Sequence, residues 1–240
     1  MIDKNNLVQL AIKTQTSFRN VAREYVQNLF LRSFYTSRGS QEFLFKGGTA
    51  LRIVFGSPRF SEDLDFTGIN KNAPYEDILT DSLDNLSLEG LTIDIIESKP
   101  TSGGHLADIN VTLFDEIIGI KNQISYRDSH IKMSENIIVA SSFVPTYSLF
   151  LFDRKIMVEE KVAALIERNK PRDFFDLYFI LRDTNLHHEL HLTADQRNKI
   201  KEKIKKQDKK LLKNVLKPLF PKSYWLVIED LPSALKRELG

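Results

Sequence analysis

The hydrophobic pattern of this chain changes period once, near residue 150, and that change limits the folds open to it. Before it, helical stretches alternate with short β-like runs; after Pro145 the apolar residues recur almost only at helical spacing. Between Thr16 and Arg38, the residues Phe18, Val21, Ala22, Tyr25, Val26, Leu29 and Phe30 mark a helix face, and Ser37-Arg38-Gly39-Ser40 stops it. A strand is expected over 42–46, a short helix over 49–54, a turn at Gly56-Ser57-Pro58 and a second strand over 63–66. Residues 75–86 read as a helix, and 91–97, 106–114, 117–126 and 137–139 as β-runs. Further on, 158–168, 172–182, 194–207 and 209–217 are helix-like. The chain is therefore expected to be α+β (mixed α/β), with residues 1–150 forming an α/β domain and 151–240 a helical one.

Hydrophobic residues make up 42% of the 240, enough to fill such a core. Cysteine is absent, so a disulfide framework and a thiolate metal site are excluded, and any metal must sit on oxygen or imidazole. The first residues lack a secretory pattern, and no run of about 18 apolar residues occurs. A cytoplasmic chain with no membrane partner is expected. The net charge is +2, yet residues 197–217 hold ten Lys/Arg against Glu202 and Asp208. The basic charge is local.

The chemistry-bearing segment begins at Phe45-Lys46-Gly47-Gly48-Thr49-Ala50-Leu51-Arg52 and continues through Arg59-Phe60-Ser61-Glu62-Asp63-Leu64-Asp65-Phe66. Residues two apart on a strand share a face, so Asp63 and Asp65 look one way while Leu64 and Phe66 look the other. Two such carboxylates, roughly 6–7 Å apart along the backbone, can turn toward one divalent cation. Magnesium fits hard oxygen ligands that leave room for phosphates and water, and a two-ion site is compatible with the spacing. Gly47 and Gly48, lacking Cβ atoms, let a phosphate approach the backbone at the start of a helix, and Thr49 adds a hydroxyl. Each half alone is commonplace, since an Asp-x-Asp at a strand end is often a solvated sheet edge. Their succession as strand, turn, helix and second strand carries the functional reading.

At these residues, and again at Glu159-Glu160-Lys161 and Arg172-Asp173-Phe174-Phe175-Asp176-Leu177, the chain resembles the nucleotidyltransferase family that contains the AbiEii/AbiGii abortive-infection toxins, within the DNA-polymerase-β-like superfamily. The resemblance implies a polymerase-β-like catalytic domain with a mixed sheet flanked by helices, followed by a helical bundle. It also implies transfer of a nucleotide from an NTP to an acceptor, which in toxin members is an RNA such as tRNA, with a separate antitoxin protein restraining the enzyme. Asp63 and Asp65 take the place of metal ligands and catalytic acids, with Lys161 and Asp176 as further catalytic residues. Nucleotide-binding roles fall on Lys46, Gly47, Gly48, Thr49, Arg59, Ser61, Lys161, Arg172 and Asp173.

One feature departs from the superfamily pattern. A third acid commonly lies on a neighbouring strand, whereas the run 117–126 presents Lys121, Asn122 and Gln123. Asp94 and Asp108, on the two preceding β-runs, are the substitutes available. A missing third acid would slow deprotonation of the acceptor hydroxyl. It leaves open an alternative, a catalytically weak nucleotide-binding or RNA- or protein-binding module of the same fold.

In the helical half, Lys161 stands at the border of an apolar face, which aims an ammonium as well as it lets a stem lie over apolar surface. NTP and magnesium are expected between the two halves. Arg172 and Asp176 share one side of their helix as a functional pair or a simple ion pair, and Asp173 sits where it favours a helix N-terminus. Arg59 and Ser61 are placed to touch phosphates; equally, Arg59 pairs with Glu62 or a helix end, and Arg52 is a lesser candidate. The lysine-rich helix, threaded by Ile200, Ile204, Leu211, Leu212, Val215 and Leu216, has a face suited to RNA phosphates or simply to water. His187, His188 and His191 read as loop, with no third zinc ligand at a suitable spacing.

Overall fold

Helix α2 (Phe18–Phe34), preceded by α1 (Lys4–Lys13), is buried nearly all round, and this makes it the central helix of the first half. Ser17 caps it by accepting from the Asn20 N–H. Among its polar residues, Asn28 donates to the Glu24 carbonyl and accepts from the Tyr147 hydroxyl. The structure, a computed structural model, describes residues 2–127 and 133–240.

After α2 come β1 (Phe43–Lys46), α3 (Gly47–Ile53), β2 (Asp63–Gly68), α4 (Tyr75–Leu88), β3 (Thr92–Thr101), β4 (Gly104–Leu113), β5 (Glu116–Ser125), β6 (Ser134–Val139) and β7 (Tyr147–Phe152). The seven strands form one mixed sheet in the order β3-β4-β5-β2-β1-β7-β6. β2 pairs antiparallel with β1 and parallel with β5, and β1 pairs parallel with β7. Alternation fixes the faces: Phe45 stands opposite Phe66 and packs on it at 5.5 Å, and Phe34 of α2 meets both Phe66 and Phe43 at 5.2 and 5.9 Å. The other face of the same register carries Lys46 opposite Asp65.

Strand β7 corrects the sequence reading, in which strand patterning ended at Pro145. Tyr147, Leu149 and Leu151 are buried on alternate positions, but the run is short; it pairs antiparallel with β6 and parallel with β1, a hundred residues earlier. Pairing at that distance leaves no local trace. Helix α1 was likewise not foreseen; its Asp3 cap and its buried Leu7 and Ala11 are the only marks of it.

The second half comprises α5 (Arg154–Arg168), α6 (Pro171–Arg182), α7 (Ala194–Lys205), α8 (Lys209–Leu216), α9 (Trp225–Glu229) and α10 (Leu231–Glu238). Asp153, Thr193 and Asp208 cap α5, α7 and α8 through their side chains. Their apolar stripes meet in one core that includes Leu165, Phe174, Phe175, Ile200, Leu212, Leu216 and Leu235. Leu211, expected to pack, is instead 52% exposed, being out of phase with Leu212 and Leu216.

By its contacts the chain forms two compact units, Met1–Val54 with Phe60–Phe152, and Phe55–Arg59 with Asp153–Gly240. The turn at 55–59 thus belongs structurally with the helices. Among the described residues, no helix is long and apolar enough to cross a membrane.

Candidate active site

Strand β2 is set in phase at its entry. The Gln27 amide donates to the main-chain carbonyls of Ser61 and Glu62 at 3.1 and 3.2 Å, and Arg23 pairs with Glu62 at 3.3 Å. From there Leu64 and Phe66 are buried while Asp63 and Asp65 are half-buried. A slip of one residue would bury both carboxylates, so the apolar pair enforces the placement of the acidic pair.

Asp65 lies against the glycine turn. Gly47 has φ +85°, and a Cβ built on it would stand 2.2 Å from Asp65 Oδ2. Glycine is therefore required twice, for the backbone conformation and for the carboxylate's place. Gly47→Ala is expected to destabilise the first unit by about 1–3 kcal/mol and to displace Asp65, so that activity falls further than stability does. Urea unfolding beside an activity assay checks this.

Thr49 has a different part from the one expected. It is fully buried, and its hydroxyl donates to the main-chain carbonyl of Asp63, so it ties α3 to β2 and does not offer a hydroxyl to phosphate. Gly48 is buried beside it in the first turn of α3. Lys46, opposite Asp65, holds its ammonium 5.1 Å from the centroid of the Phe152 ring. Lys46 and Asp65 line a cavity of about 370 Å³, with Ser102, Gln123, Ser125 and Arg127. The last four were not sequence candidates, because the β3–β4 turn and the end of β5 come to Asp65 only through sheet pairing.

The parallel register of β2 with β5 places Lys121 beside Asp63 and Gln123 beside Asp65. Among the substitutes for a third acid, Asp108 pairs with Lys121 at 3.5 Å, and Asp94 stands opposite Asn110 on the edge strand β3. A lysine, not an acid, is the neighbour of Asp63 on β5.

In the second unit, Asp176 is 1% exposed and holds two cations. Arg59 donates to it in a fork, Nε to Oδ1 at 2.7 Å and Nη2 to Oδ2 at 3.0 Å, and Lys161 Nζ donates to Oδ2 at 2.8 Å. Burial by itself pushes this carboxyl up; the Arg59 and Lys161 charges and their hydrogen bonds outweigh it and hold the pKa at about 2. Asp176 is thus held as a carboxylate near neutral pH and positions two cations. Arg59, 3% exposed and forked onto Asp176, is closed to the phosphate contact expected of it.

Asp173 is a helix-terminus residue: its carboxylate accepts from the Lys170 N–H at 3.2 Å and from Arg168 at 3.0 Å. This satisfies the start of α6, where Pro171 supplies no donor. Arg172 is half-buried on the same helix, and Arg52 is forked onto Glu24 at 3.0 and 2.9 Å. Ser61 stays half-buried at the entry to β2. His187 and His188 lie in a short 3-10 turn. Among the described residues, no group of three or more His, Asp or Glu side chains could hold a metal ion.

A mixed sheet carrying two carboxylates on one strand, one of them against a glycine turn, has the form of a nucleotidyltransferase. The family described as "Nucleotidyl transferase AbiEii toxin, Type IV TA system" matches residues 29–236, and the chain belongs to it. The chain is accordingly a nucleotidyltransferase. Among solved structures it is similar to MenT4, a nucleotidyltransferase toxin from Mycobacterium tuberculosis H37Rv, at 13% identity and a TM-score of 0.61, covering 100% of this chain and 94% of that one. JHP933 from Helicobacter pylori is similar at 21% identity and a TM-score of 0.57, over 93% and 94%. At such identities the likeness is one of fold. No curated protein matches the chain.

Proposed function

We propose that this chain moves a nucleotide from an NTP to an RNA acceptor such as tRNA, using Asp63 and Asp65 to hold magnesium, as the toxin of a toxin–antitoxin pair acting in the cytoplasm. The observation that carries the reading is the placement of the two carboxylates on one face of β2, with Asp65 seated on Gly47 and opening on a polar cavity. Two hard oxygen donors beside such a cavity suit magnesium, which completes its shell with phosphates and water. When bound, the ion would neutralise triphosphate charge and lower the barrier to attack on phosphorus.

The residues of the chain do the positioning. Lys46 and Arg127, lining the cavity with Asp65, supply cations for the triphosphate. In the second unit, Lys161, held by Asp176, and Arg172 offer cations to a phosphate of the nucleotide or of the acceptor. The acceptor hydroxyl oxygen forms a bond to the α-phosphorus, the bond from that phosphorus to the β-phosphate bridge breaks, and pyrophosphate leaves. With Lys121 beside Asp63 in place of an acid, the carboxylate pair itself is the base at hand for the hydroxyl proton.

The RNA half of the reading is supported by α7 and α8. Ile200, Ile204, Leu212 and Leu216 anchor them, leaving Lys205, Lys206, Lys209 and Lys210 exposed. Changing these four to glutamine is expected to weaken RNA binding and to lower the slope of log affinity against log salt by roughly 2 to 4, as a titration at several salt concentrations would measure. Incubation with each labelled NTP, magnesium and total RNA tests the whole reading: label in RNA supports it, and tight NTP binding without transfer refutes it.

A further inference from the structure

We propose that the second unit contains a preformed pocket for a nucleobase. A cavity of about 440 Å³ is walled by Phe175, Tyr178, Phe179 and Arg182 of α6, by Pro58 of the 55–59 turn, and by Tyr224. That volume is in the range of sites for nucleoside-sized molecules.

The lining chemistry selects a flat, polar-edged ring. Aromatic faces and guanidinium planes are the surfaces on which unpaired bases stack. The Arg182 guanidinium carbon stands 5.6 Å from the Tyr178 ring centroid, and its Nη1 is tied to Glu238 at 2.5 Å. The pocket also meets Asp183 and Thr184, a carboxylate and a hydroxyl for the hydrogen-bonding edge of a base. Asp183 Oδ1 accepts from the Asn185 and Leu186 N–H groups at 2.9 and 3.0 Å, which fixes the carboxylate in place, and a purely apolar ligand would match neither it nor the Thr184 hydroxyl.

The walls are fixed before anything binds. Tyr178 packs on Phe175 at 5.8 Å, Phe175 on Phe220 at 4.4 Å, and Phe220 on Tyr224 at 6.3 Å. Phe175 and Phe220 are both core residues, so the tyrosines at either end of this chain are held from behind. Pre-set stacking surfaces bind without the ordering cost of a mobile loop.

The two main segments of the pocket are also joined by a buried ion cluster. Pro58 precedes Arg59 and Phe175 precedes Asp176, so the segments that build the pocket also build the Arg59–Asp176–Lys161 cluster. The proposal rests on the nucleotidyltransferase reading for the source of the base, which belongs either to the RNA acceptor or to the NTP.

Equilibrium binding separates these sources and does not depend on catalysis. A fluorescent hexaribonucleotide and, separately, each NTP are titrated into the full chain without divalent metal. Tyr224→Ala, at a residue 38% exposed and so tolerant of change, and Phe179→Ala are each expected to weaken binding about tenfold, the scale of one lost stacking contact, while Tyr224→Phe retains it. Loss confined to the hexanucleotide assigns the base to RNA, and loss confined to one NTP assigns it to the donor; either supports the pocket. Unchanged affinity for all ligands in both alanine variants, with cooperative melting intact, would overturn it. Binding is read without turnover, so a failed transfer assay would leave this result standing.

Discussion

Asp63→Asn and Asp65→Asn are each expected to lower the rate of nucleotide transfer by about a thousandfold or more while the chain keeps its fold. Neutralising either acid weakens the hold on the magnesium ion that would neutralise the transition state's charge, and a loss of about 4 kcal/mol corresponds to that factor. The structural cost is small, because both side chains are only half-buried and the strand is held by Leu64 and Phe66, which are untouched. The strand register is untouched, so the melting temperature should move little. Label transfer and thermal melting, read on the same preparations, check both halves of the expectation. A variant that loses activity only in proportion to lost folded protein would assign the acids a structural part.

Asp176→Ala is expected to act in the opposite sense, through stability first. It leaves Arg59 and Lys161 with their charges in a site where the Arg59 side chain is 4% exposed, and stranding a buried charge costs about 3–5 kcal/mol. Denaturant unfolding of the variant measures this. The same logic sets a pH dependence. The folded pKa of Asp176, about 2, lies below its ordinary value of 3.8, so the stability it contributes is complete above pH 4. It is lost as the pH falls through the folded value, on the order of 2 kcal/mol in all. Asp176→Asn should lack this acid-dependent step. Replacing all three members by apolar residues of similar size, Arg59→Met with Lys161→Met and Asp176→Leu, is expected to recover much of the stability but not activity, which separates holding the fold from serving the reaction.

The acidic strand was legible in the sequence because its two requirements are local. Alternation sorts Asp63 and Asp65 from Leu64 and Phe66, and the glycine turn precedes them within twenty residues. Most helices and strands were legible for the same reason, their period being written in adjacent residues. What could not be read depends on pairing at long range. The joining of β7 to the central sheet is set by β1, the lining of the Asp65 cavity by the joining of β2 to β5, and the forked partner of Asp176 by a residue 117 positions away. Arg59 shows the cost of reading a motif only along the chain. Its nearness to the acidic strand in sequence suggested a phosphate ligand, whereas its turn folds with the helices and closes its fork on Asp176. Thr49 and Asp173 were drawn into the site by their place in motifs, and each has a backbone to satisfy instead.

Parallel reactions with NTP labelled at the α- or the γ-phosphate, run with the parent chain and with an Asp63→Asn/Asp65→Asn double variant, test the centre of the proposal most directly. The expected result is α-label in RNA, γ-label released as pyrophosphate, and neither product from the variant. Gamma-label joined to the acceptor, or α-label joined at an undiminished rate by the double variant, would contradict it.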